Sequence, residues 1–536
     1  METRALLAFA ISVAILVGYQ IFFAPRPPEI APAANVASRP DQAGAAASTE
    51  TEPVAKQPAS EPAVLGDERT TTVETTLYRA VFTSFGGRLK HFELKEHRVA
   101  PDKNSPPLDM VVGDSMLPLG LYWKTADGRT ASDVRVNYEL SADSETVTAG
   151  QSATVTMTGT TADGKKLTKT VTLRGDSYVL NAAARVDAAP APAVGMAWTR
   201  KLPATAGGRF AGVEGPVVYV DAKLHSHAVN GTTKLTEPVT YEGATDWGGY
   251  EDHYFLAAFY PEERRLLRFV GATGEDVGEI IVWDDAAAGQ VSYNLFVGPK
   301  SIHLLGSLGH NLQEAIAFGR FAFISRPLLE LLIVMQRVTH NYGWSIVLLT
   351  LGIRVIFYPI NKRQIQAMKA MQRIQPEIKR IQEKYKDDRE QLNKEMIEVY
   401  RRHKVNPLGG CLPMLLQLPV FIGLYNALLQ AIELRHAPFI AWIHDLSQPD
   451  RLGAWPIPFV LPPGIPVLTL LMGVSMLVQQ KTTPSTADPV QQRMMMILPL
   501  VFTVMFINFP AGLVLYWFSN NVLSIAQQQL MARSSS

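Results

Sequence analysis

Hydrophobic and polar positions divide the chain into regimes with different periods. Residues 5–23 form an uncharged apolar run behind Arg4. The run is long for the apolar part of a signal peptide. The nearest A-x-A stretch, 31–33, lies beyond it with Pro32 at its centre. It is read as an uncleaved anchor, 1–24, and with no Cys behind it a lipid-modified anchor is excluded. Residues 25–66 are rich in Pro, Ala, Ser, Thr and Glu and show no apolar period. Such a stretch cannot bury enough surface to offset ordering entropy, so it is expected to be a flexible tether. From about Thr70 the pattern becomes alternation broken by turn signals, as in 152–160, 166–173 and 177–187. Period two predicts strands, and the whole region, 67–300, is expected to be an antiparallel β-sandwich. A connecting segment, 301–341, follows. Its end, 328–341, predicts a helix that begins after Arg326-Pro327 and is too short to cross a bilayer. That helix is either amphipathic and interfacial or packed in a core.

Five long apolar runs complete the chain, at 342–360, 413–431, 464–480, 494–508 and 512–528. A helix needs about 20 residues to cross a hydrocarbon core of ~30 Å. The first run contains Arg354. A mid-span Arg costs ~3 kcal/mol, but ten Leu, Ile, Val and Phe residues at about −0.5 kcal/mol each outweigh it. The architecture expected is therefore a multi-domain membrane protein: an N-terminal anchor helix, an antiparallel β domain and an α-helical transmembrane bundle of five helices. Between the first two runs, 361–411, apolar residues recur at three- and four-residue steps on both sides of Asp387-Asp388. This predicts a helical hairpin, with Pro376 bending or interrupting its first arm.

Charge matters locally. The net charge is only +1, which points to no nucleic-acid partner in bulk. The hairpin, however, carries thirteen Lys and Arg, among them Lys369, Arg373, Lys379, Arg380 and Lys384, whereas the 432–463 loop carries two. By the positive-inside rule the hairpin and both termini are cytoplasmic and the β domain lies outside the membrane, on the opposite side. The basic, Met-rich hairpin either covers the inner end of the bundle or receives an anionic partner, ribosomal RNA or lipid. The single cysteine, Cys411, excludes an intramolecular disulfide.

The candidate chemistry sits in the bundle. Its five spans contain no Asp, Glu or His, so Arg354 lacks an internal counter-ion. Thr350, Tyr358 and Asn361 share its helical face. Tyr516, Asn520, Ser524 and Gln527/Gln528 form a second polar stripe in the last span, with Ser519 and Asn521 beside it, and Gln417 adds a polar group. Facing lipid, such stripes would be costly, so they should face each other. An unpaired Arg among amides and hydroxyls implies a wet, cytoplasm-open groove; snorkelling of Arg354 to the inner headgroups is the other reading. A groove of this kind shortens the barrier for the polar, often acidic, flank of a hydrophobic segment, which then leaves sideways into lipid. No nucleotide motif, cofactor or metal is needed.

The segments around Arg354 (GIRVIFYPI), at 404–425 (KVNPLGGCLPMLLQLPVFIGLY), at 437–447 (APFIAWIHDLS) and at 509–529 (FPAGLVLYWFSNNVLSIAQQQ) resemble the YidC/Oxa/Alb family of membrane protein insertases. The resemblance implies a β-supersandwich outside the membrane and a hydrophilic groove lined by Arg354. It places Gln417, Tyr516 and Trp517 near substrate-contacting surfaces. It also implies an insertase and chaperone, not an enzyme, of the inner membrane of a Gram-negative cell, with the β domain in the periplasm. That protein would handle nascent membrane proteins alone or with the Sec translocon and its accessory components. Many relatives carry a longer basic tail; here the chain ends at Ser534–Ser536, so any ribosome contact rests more on the hairpin.

Two other functions compete on the residues alone. A proton-coupled transporter lacks the carboxylate or His relay it would need in the spans. A tethered carbohydrate-active enzyme would use Glu251, Asp252 and His253, with His225 and His227; the plainer reading of these is a solvated polar loop. Gly159–Lys166 imitates a phosphate loop but lacks the final Ser/Thr, and Asp163-Gly164 reads as a hairpin turn.

Overall fold

The structure, a computed structural model, describes residues 66–533 except 103, 114–115, 142–143, 203–213, 228–237, 264, 274–276, 287–288, 387, 406–411, 457–459, 461 and 483–488. The expected anchor, nearly all of the tether and Cys411 lie outside the described residues. Two compact units divide at Ile316/Ala317, and each is described by itself.

The first unit is built of antiparallel strands in a fourteen-stranded and a five-stranded sheet; the pairing of 70–74 with 144–146 is parallel. Alternation sets the register. Along 152–160 and 166–174 every second side chain is buried, and the two strands pair residue for residue from Ser152–Arg174 to Thr160–Lys166. The stretch that imitates a phosphate loop is the turn of this hairpin, with Gly164 at φ 83°. Trp198, Trp247, Tyr78, Tyr250 and Tyr293 fill the core.

One buried charge cluster joins the two sheets. Asp133 accepts from Arg88 Nη2 at 2.9 Å, from the Leu121 backbone N–H at 3.1 Å and from Tyr138 Oη at 2.9 Å, and pairs with Lys169 Nζ at 2.5 Å. Lys169 also donates to the carbonyls of Gly86, Gly87 and Leu119. Gly87 has φ 53°, and a Cβ there would lie 3.1 Å from the Tyr138 ring, so the turn that offers these carbonyls needs glycine. Burial pushes the Lys169 ammonium down to about 8 while Asp133 pulls it back up; it remains charged at pH 7. A short helix, α1 (Ile302–Leu308), and a single 3-10 turn, Leu312–Ala315, close the unit.

The second unit contains seven helices among its described residues: α2 (Ala322–Thr339), α3 (Tyr342–Lys384), α4 (Arg389–Arg402), α5 (Leu412–Gln430), α6 (Val467–Thr482), α7 (Pro489–Phe506) and α8 (Ala511–Arg533). By length and composition, α3 is the one described helix that qualifies to cross a membrane. Large apolar side chains stand exposed on α3 (Val355, Ile356), α6 (Leu470, Val474) and α7 (Leu500, Val504), as expected of surfaces meeting hydrocarbon rather than water.

Two helices differ from expectation. Helix α2 begins at Ala322, upstream of Arg326-Pro327, because Ser325 and Leu329 are buried and α2 packs closely on α5: a Cβ on Gly423 would lie 2.6 Å from Ile324 Cγ2. Helix α3 does not stop at 360. It runs 43 residues, through Pro359 and Pro376, and carries the apolar run and the first hairpin arm in one piece. Each proline removes one backbone donor. Packing sustains the helix on both sides of Pro376, since Ile374 before it and Ile378 after it bury against Val399 of α4. Asn341 caps α3 by accepting from the Trp344 N–H, and Asp388 caps α4 by accepting from Gln391 N–H.

Candidate functional site: an arginine between helices α3 and α8

Helices α3 and α8 pack against each other. Arg354, three turns into α3, meets Asn520 and Ser524, one turn apart on α8. Its Nε donates to Asn520 Oδ1 at 2.9 Å and its Nη2 to the Asn520 carbonyl at 3.0 Å and to Ser524 Oγ. Ser524 in turn donates to the Asn520 carbonyl at 2.9 Å. Arg354 is half-buried, and no carboxylate among the described residues pairs with it. The guanidinium is thus held by neutral acceptors that fix its plane without cancelling its charge.

The other residues expected here take distinct places. Tyr516 is 2% exposed and accompanies Gln417 through a side-chain hydrogen bond. Thr350 is buried and its hydroxyl donates to the Ile346 carbonyl at 2.6 Å, one turn back in its own helix. Trp517 is half-buried among Phe421, Phe502 and Phe506, with ring centroids 4.9, 5.6 and 4.9 Å away. Asn521 donates to Ser475 Oγ at 2.9 Å and Gln528 accepts from Thr482 at 2.9 Å, tying α8 to α6. Tyr358 is exposed. Arg354, Asn520 and Ser524 form one constellation, while Thr350 and Tyr516 lie buried in the helix packing.

The sequence reading missed the tie at the other end of the bundle. Arg451 donates to the carbonyls of Pro462 and Ile507 and to Asn508 Oδ1, and Asp450 accepts from the Leu468 N–H at 2.7 Å and from Thr469 Oγ1 at 3.0 Å at the start of α6. These groups lock the 432–463 loop onto the α7–α8 turn. Their only signal was an Asp-Arg pair in a loop otherwise poor in charge.

In the hairpin, Arg373, Lys379, Arg380 and Lys384 are exposed and Lys369 is half-buried. Glu377 ties the two arms through Arg402 at 3.2 Å and His403 at 2.8 Å. In the β unit, Glu251 is taken by Lys300 (2.6 Å) and Ser226 (2.6 Å), Asp252 by Arg200 (3.0 Å), and His253 stacks on Tyr254. His225 and His227 both lie against Tyr241, and burial pushes the His227 imidazole below its ordinary value. These groups do not converge on one point, and no cluster of three metal-ligating side chains occurs among the described residues.

Residues 334–536 match the family described as 60Kd inner membrane protein, and residues 70–331 the family described as YidC periplasmic domain. A protein of Pelobacter propionicus named membrane protein insertase YidC is 38% identical over 544 residues, covering 98% of each chain. Its namesake in Geobacter metallireducens is 36% identical over 547 residues, covering 100% of this chain and 99% of its own. A crystal structure described as an active YidC insertase with its first transmembrane domain resolved aligns at 18% identity over 86% of this chain and 95% of that one, with a TM-score of 0.36.

Proposed function

The chain belongs to the YidC family of membrane protein insertases, and from that premise we propose that it inserts nascent membrane proteins through a hydrophilic, cytoplasm-open groove centred on Arg354. It acts alone or with the Sec translocon and its accessory components. The observation that carries this reading is a guanidinium clamped by Asn520 and Ser524 with its charge left over. A fixed cation in a low-dielectric layer attracts the acidic flank of a client. The apolar segment beside that flank then partitions into lipid, and burying some 20 apolar residues supplies the driving force without a nucleotide.

In this reading α3 and α5–α8 are the five transmembrane helices, 1–24 anchors the chain, both termini are cytoplasmic and the β domain is periplasmic. The 361–411 hairpin, through Lys369, Arg373, Lys379, Arg380 and Lys384, offers a positive face to the ribosome and to anionic lipid headgroups. Gln417, Trp517, Asn520 and Ser524 border the path of the client, with Thr350 and Tyr516 packed behind it.

A photocrosslinking residue at position 417 or 517 tests the reading in full-length protein. Adducts to a ribosome-stalled client are expected, from the residues flanking its apolar segment; absence of adducts at both positions overturns it. The groove itself is tested by Asn520→Cys in a chain whose Cys411 is replaced. Membrane-impermeant thiol reagents applied from the cytoplasmic side should modify this cysteine within minutes, and complete inertness there would mean a dry helix contact.

A further inference from the structure

Two more polar groups on the same helix faces are unused by Arg354. Asn361 is 7% exposed and its Nδ2 meets no hydrogen-bond partner from the described residues; the same holds for Gln527 Nε2. One sits on α3, seven residues beyond Arg354, and the other on α8, seven beyond Asn520. The helices run parallel with a fixed offset. Arg354 bonds Asn520 across 166 residues, and at the same offset a Cβ on Gly512 would lie 3.5 Å from Ile346 Cδ1. Continued by two turns towards the hairpin, this register brings Asn361 level with Gln527. Both are amides, both are buried donors and both lie about 10 Å along the axis from Arg354.

Buried N–H groups without acceptors are disfavoured in a helical bundle unless something supplies the missing lone pairs. The supplier must be an acceptor and need not be an anion, because two neutral amides offer directed donors but no net charge, and an isolated charge buried among them would be poorly compensated. In an extended chain three residues cover about 10 Å. A client whose acidic side chain rests on Arg354 would therefore have a backbone carbonyl at the level of the two amides.

We infer that Asn361 and Gln527 form a second, uncharged tier of the client path, nearer the hairpin than Arg354, which binds a main-chain carbonyl of the client's polar flank. This rests on the groove reading above and adds a division of labour. Arg354 reads charge, whereas the amide tier reads backbone and so serves every client.

The test uses full-length protein in vesicles with two clients that share one apolar segment but carry an acidic or a neutral flank. Asn361→Leu and Gln527→Leu should each lower insertion about threefold or more, by the same factor for both clients. Their thermal midpoints in detergent should stay at or above that of the parent, since each exchange removes an unpartnered buried donor. Lower insertion with unchanged or raised stability is a signature that a merely structural role does not give. A benzophenone side chain at position 527 should form adducts to the client flank. Parental insertion of both clients by both variants overturns the tier, as does a deficit confined to the acidic client, or adducts to lipid alone. The groove reading fails separately, if Arg354→Ala treats the two clients alike.

Discussion

Replacing Arg354 by Ala is expected to lower insertion of a client with an acidic flank about tenfold or more, and to leave a neutral-flanked client of the same apolar segment within a factor of two or three. A charge pair at about 4 Å is worth ~4 kcal/mol at an effective dielectric near 20. Arg354 is half-exposed, so solvent screens part of this; roughly 1–2 kcal/mol remains, and each 1.4 kcal/mol is a factor of ten. Arg354→Lys separates charge from geometry. Lysine keeps the charge but loses the planar fork that Asn520 and Ser524 hold, so it should restore the acidic client only in part. Initial rates of protease-protected insertion into vesicles, measured for the paired clients, check all three outcomes. Equal losses on both clients after Arg354→Ala would show that the arginine supports the bundle and does not capture charge.

The second large effect is expected in the other unit. Asp133→Asn leaves Lys169 and Arg88 as buried cations without their anion. Breaking a buried pair in this way costs about 3–5 kcal/mol. For a domain of this size each kcal/mol moves the thermal midpoint by about 2–4 °C, so the β-unit transition should fall by on the order of 10 °C. Fluorescence of Trp123, Trp198, Trp247 and Trp283, all in that unit, reports it in the full-length chain. A pH series adds a sign. Lys169 lies near 8 when folded and near 10.5 when unfolded, so between these values the unfolded chain binds more protons and stability rises with pH. Lys169→Met should flatten that rise. Client insertion, which the proposal assigns to the helical unit, should change little in either variant.

What the sequence disclosed depended on how local each determinant is. The strands at 152–187 announce themselves because burial on one sheet face imposes a period of two. Asn520 and Ser524 could be matched to Arg354 because each stripe repeats within one helix, and the cost of polar groups facing lipid leaves few arrangements. Asp133, Arg88 and Lys169 gave no such sign: they come from three separated segments and look like ordinary surface charges until the sheets close over them. The same holds for Arg451 and Asn508. The boundary expected at 360 failed for a related reason. Helix-breaking by Pro359 is a local tendency, and the long-range seam of Ile374, Ile378 and Val399 overrides it. The aromatic nest of Phe421, Phe502 and Phe506 around Trp517 was hidden inside runs that read only as apolar.

The unbroken course of α3 has a mechanical meaning. From Arg354 to Lys384 is thirty residues, or about 45 Å of continuous rod. Pro359 and Pro376, each without a backbone donor, are the two points along it where the rod can bend, and between them and beyond them the ladder of hydrogen bonds keeps it stiff. The basic tip and the guanidinium are thus parts of a single helix, and the two prolines set how far a load on one is felt at the other.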